Sequence, residues 1–265
     1  MPSWFDLSLL QTQGRRLLAG LQITLEVVGL SCAIGFVLSY PIALMRLSRN
    51  PVLRAVSLAY VTFFRGTPLL CQLYLVYYGA GEIRPLLTSA GLWWFFRDAF
   101  YCCVFAFALN TAAYQGEIVR GALLSVPRGQ IEAARALGLS RYLVARHVVF
   151  PQALLVALRP LGNELISIIK ASALAAIVTL LDLMGQTRFI FARTFDFSIY
   201  LYAAVIYLAM TATIARVWSM AERRLTRHLA LPAAAGREPA PATQAEAVEA
   251  ARFERDGRTA QFRAG

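Results

Sequence analysis

Long apolar stretches, each closed by a short polar segment, set the rhythm of the chain from about residue 18 to residue 217. A bilayer core about 30 Å thick takes roughly 20 helical residues to cross. Stretches that meet this length run from about Leu18 to Leu44, Tyr60 to Gly79, Phe100 to Glu117, Ala153 to Ala173 and Ile199 to Val217. The pattern predicts an all-α membrane protein with about five transmembrane helices. The segment from Ala173 to Leu183 is apolar but too short to cross alone, so it continues the fourth helix or forms a re-entrant piece. From about Leu231 the chain turns to Ala, Pro, Glu, Gln and Arg, which leaves too little apolar surface to offset ordering entropy. The organisation expected is a segment outside the membrane at 1–17, a transmembrane domain at 18–227 with a long patterned loop at about 120–152, and a disordered cytoplasmic tail at 228–265.

Charge orients this stack. Hydrophobic residues make up 58% of the chain and charged ones 15%, and the formal charge of +11 comes almost wholly from arginine, Lys170 being the only lysine. Arg46, Arg49 and Arg54 follow the first stretch, Arg120, Arg128, Arg135, Arg141 and Arg146 the third, and Arg216, Arg223, Arg224 and Arg227 the fifth. The alternate loops are balanced by Glu82, Asp98, Asp182 and Asp196. Positive loops stay in the cytoplasm, which places the N-terminus outside and the C-terminus in the cytoplasm. Arg15 and Arg16 run against this assignment. The same distribution argues against nucleic acid as a partner and for contact with lipid. Cys32, Cys71, Cys102 and Cys103 lie in apolar runs without metal-ligand spacing and read as packing residues, so no metal site is expected.

Polar side chains inside the spans carry the candidate chemistry. Asn110, Tyr114 and Glu117 recur at i, i+4 and i+7 on the third span, and Asn163, Ser167 and Lys170 do so on the fourth, with Glu164 beside them. Such groups cost several kcal/mol in hydrocarbon and face a wet cavity, a partner, or a neighbouring helix that they bond. Glu26 on the first span has the same two readings. Arg65 is read as lying near one end of the second span, its side chain reaching the headgroups. Trp93, Trp94 and Tyr101 form an interfacial belt. An intramembrane hydrolase needs a nucleophile and base at one site, but the only histidines, His147 and His228, are cytoplasmic and far apart, and no catalytic residue is assigned.

The loop Ser125–Gln152 reads SVPRGQIEAARALGLSRYLVARHVVFPQ. Pro127 starts a short helix that Gly138 ends, and Ser140 caps a second, with Pro151 just ahead of the fourth span. Two short helices joined at a sharp angle by a glycine make a rigid cytoplasmic knob. Glu132-Ala133-Ala134, then Gly138 after three residues, then Val148-Val149-Phe150-Pro151 after nine more, resembles the EAA signature of bacterial ABC importer permeases. Phe64-Arg65-Gly66-Thr67-Pro68, Glu117-Ile118-Val119-Arg120-Gly121, Val126-Pro127-Arg128-Gly129-Gln130, and Asn163-Glu164 with Lys170-Ala171-Ser172-Ala173-Leu174 resemble motifs of the polar amino-acid permeases. The run Leu181–Arg188 and the sequence Ala221-Glu222-Arg223-Arg224 are similar to the M-type half of histidine, lysine-arginine-ornithine and opine importers.

The resemblance implies a type I ABC importer permease fold. It also implies pairing with a second homologous permease subunit or with itself, two copies of an ATPase subunit, and a periplasmic binding protein that delivers the solute. Glu132, Ala133, Ala134, Gly138 and Pro151 are then the ATPase-coupling residues, and Asn110, Glu117, Asn163, Glu164, Ser167 and Lys170 the substrate path, with Glu117 nearer the cytoplasmic exit. The solutes implied are cationic amino acids or opines, with neutral or acidic polar amino acids as the alternative. A non-transporting scaffold is the rival from another class. The chain has no G-x-x-x-x-G-K-[ST] loop to cradle phosphates, so no cofactor is expected on it, and ATP with Mg is expected on the partner ATPase.

Overall fold

The computed structural model describes residues 7–227 of the 265-residue chain. The predicted tail at 228–265 and the first six residues of the predicted outer segment lie outside the described residues. Helix α1 runs Leu7–Leu47, a length of about 60 Å at 1.5 Å per residue, and contains the whole first predicted span. It is apolar on nearly every side, as a helix between lipid and protein must be. One stripe of it is built differently. Gly20, Thr24, Ser31, Gly35, Ser39 and Ala43 are all buried and all small.

That stripe meets helix α6, described below, whose facing row Ala108, Ala112 and Gly116 repeats every fourth residue and is equally buried. A Cβ on Gly35 would collide with the Thr111 methyl, and one on Gly116 would stand 2.9 Å from Ile42 Cγ2. The Ser31 hydroxyl donates to the Val104 carbonyl at 3.2 Å, tying the two backbones. Small residues at four-residue spacing are how helices approach closely where no hydrophobic effect separates helix from lipid. This seam organises the molecule.

Helix α2, Pro51–Gly66, starts on Asn50, whose side chain accepts from the Val52 N–H at 2.9 Å, with Pro51 in the first turn. It ends because Pro68 disfavours helix at Thr67, which is extended at φ −110° and ψ 147°. Helix α3, Leu69–Glu82, begins at once. The second stretch is therefore a broken pair rather than the one continuous helix the hydropathy suggests. Neither half is long enough to cross alone. Arg65 is the next-to-last residue of α2, directly before the break.

Two short helices follow, α4 at Arg84–Ser89 and α5 at Trp93–Phe96, turned at Gly91 with φ +69°. Here the Arg84 guanidinium lies 4.9 Å from the Trp93 ring, and Phe95 stacks on Tyr101 at 5.3 Å, giving the belt its shape. Helix α6, Ala99–Leu124, is capped by Asp98, whose carboxylate accepts from Phe100 N–H at 2.8 Å. It extends seven residues past the predicted end of the third span.

Helix α7, Arg128–Ala136, and helix α8, Arg141–Val144, belong to the patterned loop. A π-helical turn at Ala145–Val149 joins α8 to helix α9, Phe150–Ala171, and a 3₁₀ turn at Ser172–Val178 extends it. The second knob helix is thus not separate from the fourth span: residues Arg141–Val178 are one continuous helical stretch. It stops at Thr179, in the left-handed region with φ 67°. Asp182 then caps helix α10, Leu183–Thr194, accepting from Gly185 N–H at 2.9 Å. Helix α11, Ser198–Thr226, is the last described element, and its Trp218 indole donates to the Leu158 carbonyl of α9 at 2.9 Å across Gly162. The compact unit ends at Arg223, so beyond it only the last residues of α11 and Arg227 are described.

Among the described residues, four helical stretches are long and apolar enough to cross a membrane: Gln11–Leu47, Ala99–Leu124, Arg141–Val178 and Ser198–Thr226. Arg16, anomalous by charge counting, lies 5.4 Å from the ring of Phe189 on α10, and Arg193 lies 4.2 Å from the same ring. It is held by tertiary contact.

Candidate functional site

Proline at position 68 has no N–H, so the Phe64 carbonyl loses the partner a continuous helix would supply. Side chains replace it. Gln72 Nε2, on the first turn of α3, donates to Phe64 O at 3.0 Å, Thr67 O at 3.1 Å and Thr67 Oγ1 at 2.8 Å. Asn110 Nδ2, on α6, donates to Phe64 O at 3.0 Å and to Gln72 Oε1 at 2.9 Å. Irregular backbone at membrane depth persists only where it is satisfied within protein or lines a cavity. This break does both.

A cavity of about 280 Å³ opens beside it, lined by Thr67, Pro68 and Leu69 from the break, Asn110 and Tyr114 from α6, and Glu164, Ser167, Ile168 and Ala171 from α9. Thr111, fully buried on α6, donates to Glu164 Oε1 at 3.0 Å and fixes the carboxylate. The Arg65 guanidinium lies 5.1 Å from the centre of the Tyr114 ring. One carboxylate, an aromatic ring and hydroxyls thus converge on a space at the lower end of the range for small-molecule sites, about 300 Å³, with the Arg65 guanidinium on the ring. A cationic or zwitterionic solute finds both a counter-charge and hydrogen-bond partners there.

Of the residues expected to line a path, Asn110, Glu164 and Ser167 meet at this cavity. Asn163 is on the exposed face of α9 and does not line it. Lys170 lines a different cavity, of about 330 Å³, with Met184, Tyr207 and Thr211. Glu117 is engaged elsewhere: Arg46 Nε of α1 lies 2.8 Å from Oε1, and Arg120 Nη2 lies 2.7 Å from Oε2. Glu26 is exposed on α1 and accepts from Gln22 Nε2 at 2.8 Å. The sequence reading passed over Thr111 and Gln72. An uncharged polar residue four positions after a span-breaking proline was the available signal for Gln72.

The knob is built as its residues dictate. Gly138 stands at φ +80°, its N–H bonding Arg135 O at 2.9 Å while the Leu139 N–H bonds Ala134 O at 3.2 Å, the paired C-terminal bonds of a Schellman ending. Ala134 is buried; Glu132 and Ala133 are exposed on α7. The Ser140 hydroxyl accepts from Leu143 N–H at 3.3 Å, as its N-cap position predicts. Pro151 occupies the first turn of α9. Leu137 is 82% exposed and Tyr142 67%, so the tip between α7 and α8 presents apolar side chains outward.

Residues 35–234 match the family described as binding-protein-dependent transport system inner membrane component. The chain is 42% identical over 225 residues to the nopaline transport system permease protein NocM of Agrobacterium fabrum (strain C58), covering 84% of this chain and 93% of that protein. It is 39% identical over 222 residues to the histidine/lysine/arginine/ornithine transport system permease protein HisM of Escherichia coli (strain K12), covering 83% and 93%. A crystal structure of an amino acid ABC transporter with histidines superposes with a TM-score of 0.73 at 36% identity, over 83% of this chain and 99% of that one. The methionine transporter MetNI, in an inward-facing form, shares the fold at a TM-score of 0.67 and 23% identity, over 82% and 99%.

Proposed function

The chain belongs to the family of binding-protein-dependent transport system inner membrane components, and from that premise we propose that it carries cationic amino acids or opines through the cavity at Glu164. It is a multi-pass membrane permease subunit of an ABC importer, not an enzyme. The observation that carries the solute class is the Glu164 carboxylate, anchored by Thr111 and facing a solute-sized space beside a satisfied break in the backbone. A carboxylate placed there offsets the loss of hydration that a guanidinium or ammonium suffers on leaving water. The relatives named for nopaline and for histidine, lysine, arginine and ornithine support the same class.

In this reading the exposed Asn163–Ser167–Lys170 face of α9 turns to a second permease subunit, homologous or identical, across the path. The α2–α3 pair crosses the membrane as one unit, which leaves the N-terminus periplasmic and the C-terminus cytoplasmic, as the arginine distribution requires. A periplasmic binding protein delivers solute from outside. The knob around Glu132, Ala133, Ala134 and Gly138 docks with one of two ATPase subunits, which hold ATP and Mg. The apolar tip at Leu137 and Tyr142 suits burial in a cleft of that subunit.

Proteoliposomes holding this chain with the partner permease and ATPase test the assignment. ATP inside should drive arginine uptake only when loaded binding protein is outside, and omission of this chain should abolish it. Uptake that persists without the chain refutes the assignment.

A further inference from the structure

The donors at the α2–α3 break do more than satisfy a carbonyl. Gln72 is 3% exposed and does not line the cavity, so it has no access to a solute there. Its amide holds Phe64 on one side of Arg65 and Thr67 on the other, and Asn110 holds Phe64 from α6. The backbone carrying Arg65 is therefore pinned on both flanks. One turn beyond Asn110, the Tyr114 ring lies under the Arg65 guanidinium. The same α6 face anchors the backbone of this arginine and supports its side chain.

Tyr114, which carries the Arg65 guanidinium on its ring, and Glu164, held by Thr111, line the same cavity. Opposite charges beside one small low-dielectric cavity attract strongly, so a guanidinium released from the ring is drawn to the carboxylate. A closed pair leaves Glu164 with no negative charge to offer a solute. What holds the guanidinium in place is the ring beneath it and the backbone pinned on either side of it.

We propose that Gln72 is a positioning residue for solute selection: by fixing Phe64 and Thr67 it holds Arg65 on Tyr114 and off Glu164, and so keeps the carboxylate available to cationic solutes. The proposal rests on the reading of this cavity as the solute path. Gln72 acts through Arg65, with no contact of its own to the cargo.

The test uses the full transporter in proteoliposomes, with uptake of arginine and of citrulline, its uncharged near-isostere, measured per assembled complex. Gln72→Met removes the donors at near-constant volume, and Gln72→Glu removes them while keeping polarity. Each should lower the arginine-to-citrulline uptake ratio on the order of tenfold. In an Arg65→Gln background, adding Gln72→Met should change the ratio no further, because the residue it positions is gone. Independent, additive losses overturn the proposal, as does an unchanged ratio in a working transporter. Loss of assembly with both variants makes Gln72 a folding residue and overturns it too. Failure of the unmodified transporter to import arginine overturns the solute-path reading itself, which separates the two claims.

Discussion

Thr111 of α6 donates its hydroxyl proton to Glu164 of α9 across 3.0 Å, and this bond ties the two helices that enclose the cavity. Thr111→Val keeps the branched shape but removes the donor. A hydrogen bond to a charged group contributes about 1.5–3 kcal/mol, so a freed carboxylate should shift conformation and arginine uptake should fall by roughly tenfold or more. Citrulline uptake should fall less. The comparison of the two rates in proteoliposomes checks this.

The seam between α1 and α6 has no room for larger side chains. Gly35→Leu and Gly116→Leu should each lower the midpoint of thermal unfolding in detergent and reduce the yield of monodisperse protein, with a cost of about 1–3 kcal/mol or more. Gly29→Leu is the matched control, since a Cβ there meets nothing within 4 Å. Equal losses at Gly29 and Gly35 would show that the seam is not the constraint.

Glu117 bonds Arg46 and Arg120 with side chains only 13–29% exposed, so it fastens the ends of α1 and α6. Glu117→Gln should lower thermal stability by about 1–3 kcal/mol, the cost of leaving a partly buried arginine with a weaker acceptor. The arginine-to-citrulline uptake ratio should hold, because Glu117 does not line the cavity. A changed ratio would restore it to the solute path.

Gly138 is at φ +80°, a conformation that costs a β-branched residue strain of order 1–3 kcal/mol. Gly138→Val should leave membrane insertion intact, since Gly138 lies in the turn between α7 and α8, outside every candidate span, while co-purification of the ATPase and ATP-driven uptake fall together. Gly138→Asn, which tolerates the left-handed region better, should retain more of both. Normal co-purification with the valine variant would count against docking at this turn.

Much of this architecture was legible from residue types. Apolar length found the first, third, fourth and fifth spans, and the glycine, serine and proline positions drew the knob, because caps and turns are dictated locally. The break at Thr67–Pro68 was hidden because hydropathy averages over a proline that sits inside an otherwise apolar run. Continuity from Arg141 into the fourth span was missed because Pro151 reads as a boundary, whereas a π-helical turn at Ala145–Val149 just ahead of it carries the helix through. Helical spacing gathered Asn110 with Glu117 and Asn163 with Lys170, but spacing along one helix cannot say which members a second helix will claim. Tertiary partners decided that. Arg46 took Glu117, and the break took Asn110.

The most direct measurement is ATP-driven uptake of arginine and citrulline by the reconstituted transporter carrying Glu164→Gln. The substitution keeps the shape and most hydrogen bonding of the side chain and removes only its charge. Arginine uptake should fall about tenfold or more relative to citrulline, because the counter-charge for the solute is lost. Equal loss for both solutes would make Glu164 a structural residue, and no loss for either would contradict a path through this cavity.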